Sequence, residues 1–261
     1  ALSFGQRVND AHYFKALALI QLNDVSGALK ALSAVGPSTN YPRALQEAAA
    51  ILVSRGDIGA ANAFFEEHRK VHTDGAELNF ALHAETLQTL GSIEAESVLS
   101  RGISAFPTST RLLLARANFR ERAGFFDLAE ADYRQILNLN PGDANALNAL
   151  GYALTNNTDR FQEAAGLLEE AISKDPRNPA IIDSLGWVYF KLGKDRQAEL
   201  LLKEAYKQYP DPEVAAHLIE LLWTQGQEVE ARDLIANQWR NSPNNEHLRE
   251  TASRLAIPLP E

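Results

Sequence analysis

Apolar side chains recur along this chain at helical spacing. Leu147, Leu150 and Leu154 are three and four residues apart, so they share one helix face. Asn145, Asn148, Tyr152 and Asn156 take the other face at the same spacing. A longer period lies over the short one. Ala28, Ala61, Ala95, Ala129, Ala164, Ala198 and Ala231 are separated by 33, 34, 34, 35, 34 and 33 residues. Four residues after each stands a large apolar or aromatic side chain: Leu32, Phe65, Leu99, Tyr133, Leu168, Leu202 and Ile235. Twelve residues after five of the alanines comes a proline: Pro107, Pro141, Pro176, Pro210 and Pro243. Asn40 and Thr73 stand in its place after the first two.

A fixed period of this length marks stacked supersecondary units. Each unit is expected to be two antiparallel helices. The alanine sits where the second helix crosses the first, because a larger side chain would hold the helices apart. The apolar residue one turn on fills the groove to the next unit. The proline stops the second helix, having no N–H to donate. Gly56, Gly124, Gly193 and Gly226 fall five residues before their alanines, at the turn between helices, where a left-handed conformation suits glycine. Gly151 and Gly186 are placed at close helix crossings. Asn178-Pro179 reads as an N-cap followed by proline at the first helical position.

The fourth unit departs from the pattern, with Arg116 and Arg120 where the first helix should be apolar. The fifth carries one extra residue near Asn156-Asn157-Thr158. Residues 244–256 are expected to form a last helix over the open end, and Ile257-Pro258-Leu259-Pro260 a tail that cannot be helical.

The whole pattern resembles the tetratricopeptide repeat. The expected fold is all-α: a right-handed superhelical solenoid of about seven such repeats plus a C-terminal capping helix. One solenoid is expected over 1–261. Its repeats run over 9–41, 42–75, 76–109, 110–143, 144–178, 179–211 and 212–243, followed by the cap and tail over 244–261.

Composition narrows the function. Among 261 residues the formal net charge is -9, which disfavours a basic nucleic-acid-binding face. Cysteine is absent, so disulfides, Cys-ligated zinc and thiol nucleophiles drop out together. No apolar run is long enough to span a bilayer. The sequence opens at Ala1 without methionine or a signal peptide and is read as a piece of a longer protein, with any targeting segment or membrane anchor upstream.

Catalytic motifs do not emerge. His68 and His72 are four apart on a helix, but the intervening Arg-Lys-Val lacks the glutamate of a zinc-protease motif. They are read as a solvated helix end. Gly193-Lys194 is followed by Asp195 rather than Ser or Thr, and six residues separate Gly186 from Gly193, so it is a turn and not a phosphate loop. Glu66-Glu67 and Glu169-Glu170 are read as solvated surface. No metal, cofactor or enzymatic activity is expected.

Binding is the better expectation, since first helices of stacked repeats line a concave side. The candidate stripe is Asn145, Asn148, Tyr152 and Asn156, joined by Asp183, Trp187 and Lys191 from the next repeat and Arg111, Asn118 and Arg122 from the preceding one. Asparagine amides can both donate to and accept from a peptide backbone. Tyr and Trp offer rigid apolar area. A protein or peptide lying across repeats four to six is the expected ligand. The first helices of repeats two and three, with Ala50, Phe80 and Ala84, look suited to an apolar helix or strand.

The stretch from Asn140 to Trp223 is similar to something narrower. Asn-Pro-Gly-Asp-Ala-Asn-Ala-Leu-Asn-Ala-Leu-Gly-Tyr, Pro-Ala-Ile-Ile-Asp-Ser-Leu-Gly-Trp and Glu-Val-Ala-Ala-His-Leu resemble the C-terminal half of proteobacterial tetratricopeptide lipoproteins. That resemblance implies a non-catalytic adaptor on the periplasmic side of the outer membrane, held by an upstream lipid. It also implies a partner such as a periplasmic carboxy-terminal processing protease or a cell-wall enzyme. Three alternatives stand beside it: a non-catalytic region of a larger enzyme, a self-assembly module, and a cytoplasmic setting. A clamp for a chaperone carboxylate ranks lower, because Lys191 is the one matching lysine in repeats five and six.

Overall fold

The computed structural model describes residues 4–259, so Pro260 of the expected tail lies outside the described residues. Fifteen α-helices and one 3-10 turn make up the regular structure, with no strand among the described residues. The helices alternate as first and second members of a pair. They are α1 Phe4–Gln21 and α2 Val25–Ser33; α3 Tyr41–Arg55 and α4 Ile58–Val71; α5 Ala76–Thr89 and α6 Glu94–Ala105; α7 Thr110–Arg122 and α8 Phe126–Leu139. They continue as α9 Ala144–Asn157 and α10 Phe161–Lys174; α11 Pro179–Lys191 and α12 Asp195–Gln208; α13 Pro212–Thr224 and α14 Glu228–Asn241; with α15 Glu246–Leu255 last. The chain divides into two compact units, Ala1–Asp132 and Tyr133–Glu261.

The repeat marks land where helix packing needs them. All seven periodic alanines and their seven partners four residues on are buried, none more than 1% exposed. Each of the five periodic prolines stands two residues beyond the end of a second helix. The first helices α7, α9, α11 and α13 are started by side chains that accept from orphan backbone amides, as Asp143 does from Ala146 N at 3.0 Å and Asn178 from Ala180 N at 3.1 Å. Gly56, Gly124, Gly193 and Gly226 all have positive φ at the inter-helix turns. Gly151 and Gly186 are crossing points. A Cβ on Gly151 would sit 2.6 Å from Leu168 Cγ, and one on Gly186 would sit 2.9 Å from Leu202 Cγ.

The extra residue of the fifth repeat lengthens α9 rather than the turn. Thr158 then ends the helix in an extended conformation, its hydroxyl donating to Leu154 O at 2.7 Å and accepting from Arg160 N at 3.1 Å. In the Tyr133–Glu261 unit, α15 packs on α13 and α14. It buries Leu248 and Ala252 with Leu218, Leu222 and Ile235. Ile257 and Leu259 of the non-helical tail pack into the same core. In the Ala1–Asp132 unit, Tyr13, Ala16, Leu32, Ala44 and Ala48 form a core shared by α1, α2 and α3.

The two arginines that break the apolar pattern in α7 are accounted for. Asp132, 2% exposed, accepts from Arg116 Nε at 3.0 Å and Nη2 at 2.7 Å, and from Arg120 Nη1 at 2.8 Å. Arg116 also donates to Ser100 at 3.1 Å, and Arg120 Nε to Glu96 at 2.9 Å. Planar guanidinium forks satisfy a carboxylate that burial would otherwise leave without water.

Candidate functional site

The residues expected to bind divide between the two units. In the first unit, Arg111, Asn118 and Arg122 of α7 are all exposed, and Arg122 donates to Gln88 of α5. Arg122 also borders a cavity of about 610 Å³, together with Glu85, Gln88, Ile93 and Phe119.

In the second unit, α9, α11 and α13 bring the remaining residues together. Asn145 and Asn156 are exposed, whereas Asp183 and Trp187 are 5% and 4% exposed. What encloses the latter two is His217 of α13. Its Nδ1–H donates to the Asp183 carboxylate at 3.0 Å, and its ring stacks on Trp187 at 4.2 Å between centroids. Trp187 Nε1 in turn donates to Asn156 Oδ1 at 2.9 Å. Lys191 Nζ lies 4.0 Å over the Trp187 ring and 3.4 Å from Glu220, which also pairs with Arg254 of the cap. The Tyr152 hydroxyl donates to Glu213. Burial first, and the Glu213 carboxylate second, hold that phenol above its ordinary pKa, so it stays protonated. Asp183 and Trp187 therefore orient the face and do not lie open on it.

Beside this cluster is a cavity of about 250 Å³ lined by Asn148, Tyr152, Asp183, Ser184, Tyr209, Asp211 and Glu213. Asn148 Oδ1 is buried there without a hydrogen-bond partner. Such an atom costs roughly 1–3 kcal/mol until something satisfies it. Sequence reasoning missed His217, Glu213 and Glu220. They belong to a repeat outside the expected stripe, although His217 stands 34 residues after Asp183, one repeat on.

A second polar cluster sits in the first unit, between α4 and α5. His68 is 2% exposed and donates from Nε2 to Val35 O at 3.3 Å, which overturns its reading as a solvated helix end. The α3 and α5 faces read as apolar are also altered. Ala84 is wholly buried, and Phe80 is covered by the Arg69 guanidinium at 4.3 Å. Ala50 remains exposed and lines a cavity of about 290 Å³ with Gln46, Val53 and Leu82. Among the described residues, no group of three or more His, Asp or Glu is placed to hold a metal ion. No described helix is long and apolar enough to cross a membrane.

Known proteins share this architecture. Two tetratricopeptide-repeat family models match residues 112–179 and 158–218. A tetratricopeptide-repeat-containing protein of Pseudomonas aeruginosa is 33% identical over 214 residues, covering 82% of this chain. The chain spans 36% of that relative's length. A solved tetratricopeptide protein from Parabacteroides merdae superposes with a TM-score of 0.66 at 17% identity, covering 96% of this chain and 99% of that one. The type IV pilus biogenesis factor PilW does so with a TM-score of 0.62 at 18% identity, covering 81% and 98%. At those identities the two structures speak to fold alone. The repeat models, the paired helices and the buried alanine register agree: the chain is a tetratricopeptide-repeat protein.

Proposed function

We propose that this chain is a non-catalytic scaffold that captures a protein segment on the first-helix face of the Tyr133–Glu261 unit. The observation that carries this is the cavity beside Asn148, where a buried amide oxygen lacks a partner next to the aromatic and carboxylate walls of Tyr152, Tyr209 and Glu213. A turn of the Asn148 amide would bring that oxygen into the cavity, where an extended segment could offer it a backbone N–H and lay a side chain against the tyrosines. Asn145 and Asn156 extend the amide surface on either side. Within the Ala1–Asp132 unit, the exposed Arg111, Asn118 and Arg122 are proposed separately as partner contacts of that unit.

The finer reading is an envelope adaptor. The stretch from Asn140 to Trp223 resembles lipoprotein adaptors of a periplasmic processing protease, and this is the unit that holds the cavity. In this proposal the partner is that protease or a cell-wall enzyme, on the periplasmic side of the outer membrane.

The test is affinity capture from a Gram-negative periplasmic extract, comparing wild-type chain with Asn145→Ala/Asn148→Ala. Asn145 is exposed and Asn148 half-buried, so truncation is expected to leave the fold intact, as circular dichroism of the variant checks. A processing protease or cell-wall enzyme retained by the wild type, and reduced at least roughly tenfold in the variant, is expected from the loss of about 1.4 kcal/mol or more. Equal retention by both proteins would place binding elsewhere. Empty captures would remove the adaptor reading.

A further inference from the structure

The buried polar lattice of the first unit does work that packing alone does not require. His68 has both ring nitrogens committed. Nε2 donates to Val35 O, and Nδ1 accepts from Asn79 Nδ2 at 3.3 Å. Asn79, itself fully buried, uses its Oδ1 to accept from Arg69 Nη1 at 2.6 Å. The same Arg69 Nη1 lies 3.2 Å from His83 Nδ1, and His83 Nε2 donates to Asn62 Oδ1 at 2.8 Å. His72 adds a bond to Ser33 O at 3.2 Å. These bonds tie α4 to α5 and to the α2 end, three successive repeats of one unit.

The lattice is consistent only with His68 and His83 neutral. A proton on His68 Nδ1 would face the amide NH₂ of Asn79. Turning that amide would point its NH₂ at Arg69 instead, so the conflict moves without vanishing. A proton on His83 Nδ1 would meet the guanidinium directly. Apart from the imidazoles, the charged and titratable groups around the lattice are Lys30 near α2's end, Tyr41 on α3, Glu66, Glu67 and Arg69 on α4, and Arg101 and Glu94 on α6, the last accepting from Asn62 Nδ2 at 2.7 Å. Glu66 is paired with Arg101 at 3.1 Å, and Glu67 with Lys70 at 3.1 Å. Among the described residues no carboxylate is hydrogen-bonded directly to His68 or His83; Glu94 reaches His83 only through the Asn62 amide. A cavity of about 310 Å³ between α2 and α4, lined by Leu29, Phe64, Val71 and His68, brings solvent to the lattice edge.

We propose that this histidine–arginine lattice is an acid-sensitive latch, which holds the repeats of the Ala1–Asp132 unit together at neutral pH and releases them on acidification. The electrostatics agree with the geometry. Burial is the main cause that pushes His68 down to about 4 and His83 to about 3, with the neighbouring His72 next for His68 and Arg69 next for His83. An unfolded imidazole takes its proton near 6.5. The stabilisation is therefore whole above about pH 6.5 and is lost as pH falls toward 4. In the other unit the buried imidazole, His217, rests against a carboxylate rather than a guanidinium.

The test uses the intact chain. Amide hydrogen exchange, corrected for the intrinsic rate at each pH, is followed by segment from pH 7.5 to 4.5, with imidazole ¹³C signals read in parallel. Protection over 58–89 is expected to fall at least roughly tenfold while that over 179–222 changes less, with His68 and His83 still neutral in the folded population as the fall begins. His68→Gln/His83→Gln keeps one donor and one acceptor at each site without a titrating group, and should abolish the acid response. If that variant folds poorly, the wild-type profile decides alone. Unchanged protection over 58–89 down to pH 4.5, an equal loss in both units, or protonation of the two imidazoles near 6.5 without loss of protection overturns the latch.

Discussion

Two glycines of one repeat show how much a single Cβ can mean. Gly151 lies in α9 at the crossing with α10, where a methyl would meet buried Leu168 at 2.6 Å and the Ala164 carbonyl at 3.2 Å. Gly166 lies on the exposed side of α10 with nothing within 4 Å. Alanine gains up to about 1 kcal/mol of helix propensity at either position. At Gly151, overpacking of about 1–3 kcal/mol outweighs that gain. Gly151→Ala should therefore lower stability by roughly 1–2 kcal/mol, and Gly166→Ala should raise it by about 0.5–1 kcal/mol. Urea unfolding of the two variants checks both signs. Asp132 makes the same point for polarity. It is buried because two arginines a helical turn apart close on it, and neither the acid nor the arginines fit an apolar repeat singly.

At the scale of elements, each helix pair leaves an apolar face for its neighbour, and the last pair needs a lid. α15 is that lid. It covers the α13 surface with Leu248 and Ala252, while Arg254 reaches Glu220. Its polar outer side suits a terminal repeat of a solenoid. Deleting 245–261 strips Leu218, Leu222 and Ile235 of cover. At about 1.5–3 kcal/mol for each large apolar side chain exposed, several kcal/mol of stability should go. The measurement is the thermal midpoint of the truncated chain, with light scattering to detect association through the uncovered face. A midpoint unchanged from wild type would show that the lid carries no packing role.

For the molecule as a whole, stability is a sum over neighbours. Each unit is built from helix pairs that touch the adjacent pairs, and the seams differ in kind. The first unit contains buried ion-pair and imidazole lattices, whereas α13, α14 and α15 of the second enclose a wide apolar core. Seams of unequal strength need not melt together. Calorimetry at neutral pH should give a van't Hoff enthalpy below the calorimetric enthalpy. Equality of the two would mean that the chain unfolds in one step.

The period of small and large apolar residues determined the helix pairs, their crossings and their turns, because those features rest on contacts repeated every 33 to 35 residues. Local spacing also grouped Asn145, Asn148, Tyr152 and Asn156 on α9. It did not show which of the proposed contacts would be covered. Asp183 and Trp187 are taken inward by His217, a residue from the next first helix, and His68 is buried by Val35 and Asn79 from its neighbours. A polar residue on a helix face looks the same in sequence whether it meets water or a partner one repeat away. Only packing of consecutive repeats decides which, since it alone sets what stands within hydrogen-bonding distance across the seam.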